Sequence, residues 1–341
     1  MARFFNTTGP CEAGRHYMLP PEARLPEVAM LVERQQYFVV HAARQTGKTT
    51  AMRALAVQFR GQGMAALHTT LETSRTADSV ETAEGRWLAN IVRSAQGDLP
   101  AHLVPPSQPE TVPGERLGAL CTAWAAKIAP VPLVLFIDEA DVMRGEPVIN
   151  LLRQLRAGFH TRPARFPASV ALIGLRDLRD YLTATKAGAP VNPGSPFNIK
   201  AKSLTLRAFT RDEIGELYGQ HTVDTGQEFS PEAVDRAFRW SAGQPFLVNA
   251  LGAACMDELV TDRSVAITAD HIDQAKERLV LSRTTHLHNL SERLKESCVA
   301  PILSRVLVGA GDVAVESDEF EYCVDLGLLD ATASVTAPVP A

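Results

Sequence analysis

No stretch of this chain is apolar for the roughly 20 residues that a membrane-crossing helix needs. The longest such run, residues 131–137 behind Ala129 and Pro130, is far shorter. A secretory leader is missing as well: Arg3 is followed by Phe4, Phe5 and Asn6, then by Gly9, Pro10 and Cys11, with no apolar core. The expected location is therefore the cytoplasm, with no membrane partner. Cysteine is sparse, and the five thiols Cys11, Cys121, Cys255, Cys298 and Cys323 are odd in number and widely scattered. No C-x-x-C pair occurs, Cys11 and His16 lack further partners, and only His286 and His288 of the histidines lie close together. A disulfide framework and a structural zinc site are thus set aside. An excess of one charge sign is also missing: 34 Lys and Arg face 39 Asp and Glu, a net charge of -5. Global attraction to nucleic acid or to an anionic surface has no footing in such a balance.

What is present is an ordinary globular composition, 45% hydrophobic and 21% charged over 341 residues. That length suffices for one large core with one or two small modules. Gly9, Pro10, Gly14, Pro20 and Pro21 mark an extended lead-in, and Pro26 fits the first turn of a short helix reaching Arg34. Unbroken β-branched and aromatic residues at 37–40 predict a buried strand. Met52, Leu55, Val57 and Phe59 predict a helix over 48–60, stopped by Gly61 and Gly63, before a second strand at 64–71. Two helices, about 80–95 and 115–128, flank a Pro-rich loop. A strand at 133–137 ending in Asp138, a helix at 148–159, and strands at 169–173 and 203–206 follow. This alternation predicts a parallel, doubly wound α/β sheet. Beyond Phe209 the periodicity predicts helices alone, at 210–221, 231–240, 244–259, 269–281 and roughly 290–307. The acidic run 316–321 opens a short amphipathic piece, and the small-residue tail 331–341 reads as unpacked or truncated.

Residues 42–49, Ala-Ala-Arg-Gln-Thr-Gly-Lys-Thr, lie between the first strand and its helix. They fit the phosphate-cradling pattern G-x-x-x-x-G-K-[ST] except that Ala42 stands at the first glycine. Such a loop binds Mg-ATP or a close relative. Backbone N–H groups from Ala43, Arg44, Gln45, Thr46, Gly47 and Thr50 would surround phosphate at a helix N-terminus. Lys48 would reach the β- and γ-phosphates, and the Thr49 hydroxyl would bind Mg²⁺. The strand at 133–137 delivers Asp138 and Glu139 at its C-terminal edge, where ligands bind in open α/β sheets. Asp138 would hold Mg²⁺ through water and Glu139 would polarise the attacking water; an exposed loop acid is the plainer reading of Glu139. Residues 138–141 spell Asp-Glu-Ala-Asp, but a helicase of that kind needs a second α/β lobe, and the chain beyond residue 207 reads as helices.

After the strand at 169–173, Arg176 is the candidate sensor of the γ-phosphate. Pairing of Arg176 and Arg179 with Asp177 and Asp180 on a surface helix is the alternative. Gly243-Gln244-Pro245 opens the helix at 244–259, which capping geometry alone could explain. Arg153, Arg156, Arg162 and Arg165 cluster about His160, more simply a solvated helix face than a nucleic-acid patch.

Taken together, these residues resemble the AAA-like bacterial ATPases that border the STAND class, within the ASCE division of P-loop proteins. The resemblance runs from residues 4–11 (Phe-Phe-Asn-Thr-Thr-Gly-Pro-Cys) through 44–50, 136–141, 174–181, 195–200 and 243–245 to 325–328 (Asp-Leu-Gly-Leu). It implies Walker A and B motifs that bind and hydrolyse ATP, Arg176 as sensor, and Pro245 in a helical lid against the base. It further implies that the segment before Tyr37 lines the base pocket. The expected fold is a five-stranded core of order 5-1-4-3-2 with its lead-in (1–208), a helical lid (209–284), and a partial winged-helix-like region with a flexible tail (285–341). The expected function is an ATP-hydrolysing molecular switch in which turnover moves core against lid, with a protein partner or a second copy of the chain as candidate associates. Two alternatives remain at this point: an origin-recognition-like or clamp-loader-like ATPase acting on DNA, which the net charge does not indicate, and a nucleotide-dependent scaffold with little turnover.

Overall fold

The computed structural model describes residues 2–20, 23–107, 110–143, 145–175 and 199–282, and beyond these 294, 296, 298–308, 318–325 and 328–329. The chain divides into two compact units. A sheet unit comprises Pro20–Ala42 and Lys48–Leu206, and a helical unit comprises Met1–Leu19, Ala43–Gly47 and Arg207–Ala341.

In the sheet unit, β1 (Tyr37–His41), β2 (Ala65–Thr70), β3 (Leu133–Asp138), β4 (Ser169–Gly174) and β5 (Lys200–Thr205) form one parallel sheet of order β2-β3-β4-β1-β5. Read from the other edge, this is the expected 5-1-4-3-2. Among the described residues its α-helices are α1 (Glu27–Glu33), α2 (Lys48–Gly61), α3 (Val80–Asp98), α4 (Arg116–Ile128) and α5 (Glu146–Gly158). Strand side chains alternate between two faces, and each face has its own core. Tyr37, Val39, Leu135, Ile137 and Leu172 pack with Trp87, Trp124 and Leu151 of α3, α4 and α5. Phe38, Val40, Phe136 and Ile173 pack with Leu31 of α1 and with Met52, Leu55 and Phe59 of α2. Burial on both faces accounts for the unbroken apolar runs of β1, β3 and β4. The edge strand β5 is mostly exposed and carries Lys200 and Lys202, which is why its start at Lys200, three residues ahead of the expected 203, leaves no hydrophobic trace.

One buried acidic side chain links three elements of this unit. Glu84 on α3 is fully buried and accepts hydrogen bonds from Gly114 N (2.7 Å), Leu117 N (3.1 Å) and Gln154 Nε2 (3.0 Å). The helix α4 has no capping side chain of its own at Glu115, so Glu84 serves as its cap from another helix. Replacing it strands two backbone donors away from water. Glu84→Ala is expected to destabilise the protein by about 3 kcal/mol, read from the shift in urea midpoint, with Glu84→Gln milder because it keeps an acceptor.

The helical unit contains α6 (Arg211–Thr225), α7 (Pro231–Ser241), α8 (Pro245–Ala254) and α9 (Ala269–Leu281). Thr210 and Glu213 close a capping box on α6, and Ser230 accepts from Ala233 N ahead of Pro231 on α7. The expected helix over 244–259 is α-helical only to Ala254, and Cys255–Leu259 continues it as a π-helical turn. The lead-in is more ordered than its glycines and prolines suggest. Phe4 bridges to His16, and Phe5 and Tyr17 enter the core with Tyr218 and the partly buried Phe229. Arg3 forks onto both oxygens of Asp224 (2.9 and 2.8 Å). Toward the C-terminus α10 (Ala300–Val308) and α11 (Asp318–Asp325) share a small cluster of Val299, Ile302, Phe320 and Cys323. Among the described residues no helix is long and apolar enough to cross a membrane.

Candidate functional site

The strand β1 ends at His41, and Ala42 N donates to Gly174 O of β4 at 3.3 Å. The chain then turns through residues 43–47 before α2 opens at Lys48. Gln45 (φ 59°) and Gly47 (φ 87°) adopt left-handed conformations. Ala42 does not, and its buried methyl belongs to the core on the α1 and α2 face. The departure from glycine therefore has a structural reason: this position needs neither a positive φ nor an empty Cβ. Thr46 Oγ1 donates to Ala43 O (2.8 Å), and Lys48 Nζ donates to Ala42 O (2.6 Å), which draws the ammonium back over the loop. A helix N-terminus, with its partial positive charge, begins inside this loop.

Two strands over, β3 ends at Asp138. Its carboxylate is buried and accepts from Thr49 Oγ1 (2.6 Å) and His68 Nε2 (3.2 Å) at Oδ2, and from Glu139 N (2.9 Å) at Oδ1. Burial pushes the Asp138 carboxyl up, but the hydrogen bonds from His68 and Thr49, the charge of His68 and the Glu139 N–H outweigh it, so the group lies below its ordinary range. It is a carboxylate at neutral pH. Glu139 follows in a left-handed conformation (φ 58°), which turns it out of the strand. Its side chain is 43% exposed, with Arg75 Nη2 3.8 Å from Oε2. The two neighbouring acids thus have opposite settings: one is buried and fully oriented, the other is accessible.

Between the two motif strands runs β4, whose end is held by Asp141. The Asp141 Oδ2 accepts from Leu175 N (2.9 Å), and a Cβ at Gly174 would meet Asp141 Cγ at 2.9 Å. The candidate sensor Arg176 comes next and lies outside the described residues, as do Arg179, Asp177 and Asp180. In the helical unit, Gln244 caps α8 by accepting from Leu247 N (2.7 Å), and its Nε2 lies 3.5 Å from Arg44 O and Gln45 O. Pro245 is buried at the first helical position. Of the basic cluster, Arg153 pairs with Glu146 in solvent, whereas Arg162 donates to Gln35 O and Phe159 O and stacks on the Phe159 ring.

Residues 32–182 match the family described as an AAA domain. Within those residues the chain carries an AAA-type P-loop domain. Its fold is similar to the Walker-type ATPase PABY2304 of Pyrococcus abyssi, with a TM-score of 0.59 and 14% identity over 89% of this chain and 83% of that one. It is also similar to the ORC2 protein of Aeropyrum pernix, solved as ADPNP and ADP complexes, with a TM-score of 0.52 and 15% identity over 91% and 85% of the two chains. At such identities the likeness concerns the fold. No curated protein matches the chain.

The donor set of this AAA-like site fits a magnesium nucleotide. Magnesium takes hard oxygen ligands, and the site pairs a hydroxyl with a carboxylate. Thr49 Oγ1 has its proton on Asp138 and keeps its lone pairs available for a cation. The loop, with Lys48 and the start of α2, supplies positive charge for phosphate. Sequence reasoning named the loop, Asp138 and Glu139 as candidates and gave no role to His68, to the Asp141 side chain or to the approach of Gln244 to the loop. One signal was present for His68, a polar residue inside a strand that is otherwise buried. The contacts of Asp141 with Leu175 N and of Gln244 Nε2 with Arg44 O and Gln45 O reach distant backbone, which no local pattern announces, whereas the capping of α8 by Gln244 is local.

Proposed function

We propose that this chain is an ATP-binding and ATP-hydrolysing molecular switch of the AAA-like/STAND type, in which turnover of Mg-ATP drives a change between a core (1–208) and a helical lid (209–284). Residues 285–341 are, in this reading, a partial winged-helix-like end and tail. The observation that carries the proposal is the 2.6 Å hydrogen bond from Thr49 to the buried Asp138, made where a phosphate-type loop meets the end of β3. Bound Mg²⁺ would supply charge neutralisation at the phosphoryl oxygens. Ala43 to Thr50 offer backbone N–H groups to phosphate, Lys48 reaches the β- and γ-phosphates, and Thr49 and Asp138 hold the metal. Glu139, accessible beside them, orients the attacking water and accepts its proton. Arg176 reports the γ-phosphate, and Pro245 lies against the base. The charge lost with the γ-phosphate is what switches the two states.

Thr49→Val keeps the shape of residue 49 and removes the hydroxyl. It is expected to lower Mg²⁺-dependent ATP turnover about 10–100-fold, measured by phosphate release. A wild type that releases no phosphate from ATP would reduce the reading to a nucleotide-dependent scaffold. Turnover raised by duplex DNA in a salt-sensitive manner would move it to the DNA-acting class.

A further inference from the structure

His68 lies on β2, a strand that carries none of the motif residues. The register of β2 against β3 sets His68 beside Phe136 and Thr70 beside Asp138. Phe136 belongs to the core on the α2 face, and residues two apart on a strand share a face, so His68 and Asp138 both belong to the sheet surface that α2 covers. Thr49 sits at the start of that same helix. Two elements therefore converge on one carboxylate oxygen of β3, Asp138 Oδ2, with Thr49 of α2 at 2.6 Å and His68 of β2 at 3.2 Å. An ionised carboxylate only accepts, so His68 Nε2 is the donor in this contact and carries the ring proton.

The contact costs something to keep. His68 is 9% exposed in a strand whose neighbours Ala66 and Leu67 are fully buried, a position where an aliphatic side chain would pack without any polar partner. Its ring is directed at Asp138. Without it, Oδ2 would have Thr49 alone as its protein donor, and Thr49 is itself a proposed metal ligand. With it, both carboxylate oxygens are pinned from the protein side, Oδ1 by Glu139 N and Oδ2 by His68 and Thr49. The group is held in one rotation before any cation arrives.

We infer that His68 is a positioning residue for the metal half of the site: it orients the Asp138 carboxylate and so sets how strongly Mg²⁺ enhances nucleotide binding. The inference rests on the reading of the site as an Mg-ATP site. Ligand orientation of this kind is typically worth about 10–100-fold in metal affinity.

The test titrates the full chain with ATP, once in Mg²⁺ and once in EDTA, and takes the ratio of the two affinities. His68→Leu keeps the bulk and removes the donor, and it should lower that ratio about tenfold while leaving the affinity in EDTA unchanged. His68→Gln, whose amide can donate to the same oxygen, should restore a ratio close to wild type. A His68→Leu protein with the wild-type ratio overturns the inference and leaves the ATPase reading standing. So does an equal loss in the Leu and Gln variants, or a loss in EDTA as large as that in Mg²⁺, since either marks a packing role. If Mg²⁺ does not enhance ATP binding by the wild type, the reading of the site fails and the inference falls with it.

Discussion

Glu139→Gln is expected to lower ATP turnover by about 10²–10⁴-fold while ATP binding stays near the wild-type level. The reason lies in the contrast between the two acids at the end of β3. The Asp138 carboxylate is buried and accepts three hydrogen bonds, so it is committed to holding its surroundings. The Glu139 carboxylate is 43% exposed and makes a long contact with Arg75, at 3.8 Å between partly solvated groups. An ion pair of that kind contributes little and leaves the acid accessible to water. Glutamine matches glutamate in size and cannot take a proton, so the substitution removes the chemistry and spares the binding surface. Lys48→Ala provides the contrast. Its ammonium lies over the loop, 2.6 Å from Ala42 O, and its loss should reduce binding and turnover together. Equilibrium binding of ATP and single-turnover phosphate release, measured on both variants, separate the two roles. Full turnover by Glu139→Gln would remove Glu139 from the mechanism.

The parts of this protein that were legible in its sequence are those written in local pattern. Strands buried on both faces spell themselves as apolar runs, as at Tyr37 and Leu133, and the loop at Ala42 with the acids after β3 follows from short-range spacing. The alternation of strand and helix announced only a parallel, doubly wound sheet; the order 5-1-4-3-2 came from the resemblance of the motifs to a known class. What escaped was non-local. The strand β5 was placed late because an exposed lysine edge has no hydrophobic signature. The cap that Glu84 gives α4 and the hydrogen bond of His68 with Asp138 join residues 33 and 70 positions apart, through a fold that must exist before the contact does. The lead-in looked extended because glycine and proline dominate it, whereas Phe5 and Tyr17 determine where it packs. In each case an isolated polar or aromatic side chain was visible in sequence, and its partner was not.

Gly243→Ala tests a further non-local contact, that of Gly243 with Phe209. The sequence reading could explain Gly243-Gln244-Pro245 by capping alone, and capping is present, since Gln244 accepts from Leu247 N and Pro245 takes the first helical position. Capping does not account for the glycine. Gly243 has φ 76°, and a Cβ built there would lie 1.9 Å from Phe209 O, 2.9 Å from Phe209 C and 3.1 Å from Phe209 N. The obstacle is backbone, held in place because Phe209 N donates to Gly243 O at 2.8 Å. It cannot rotate aside as a side chain would. Gly226 offers an internal control in the same unit: it ends α6 at φ 78°, yet a Cβ there would meet nothing within 4 Å. Gly226→Ala should therefore incur the left-handed penalty alone, about 1–2 kcal/mol. Gly243→Ala adds the overlap with Phe209 and should exceed about 4 kcal/mol, in the tail of single-substitution effects. Denaturation midpoints of the two variants measure the difference. If they shifted equally, the approach of Phe209 to Gly243 would contribute nothing to stability. If Gly243→Ala alone loses stability and ATP binding falls with it, the segment carrying Gln244 and Pro245 must hold its backbone path against Phe209 for nucleotide to bind.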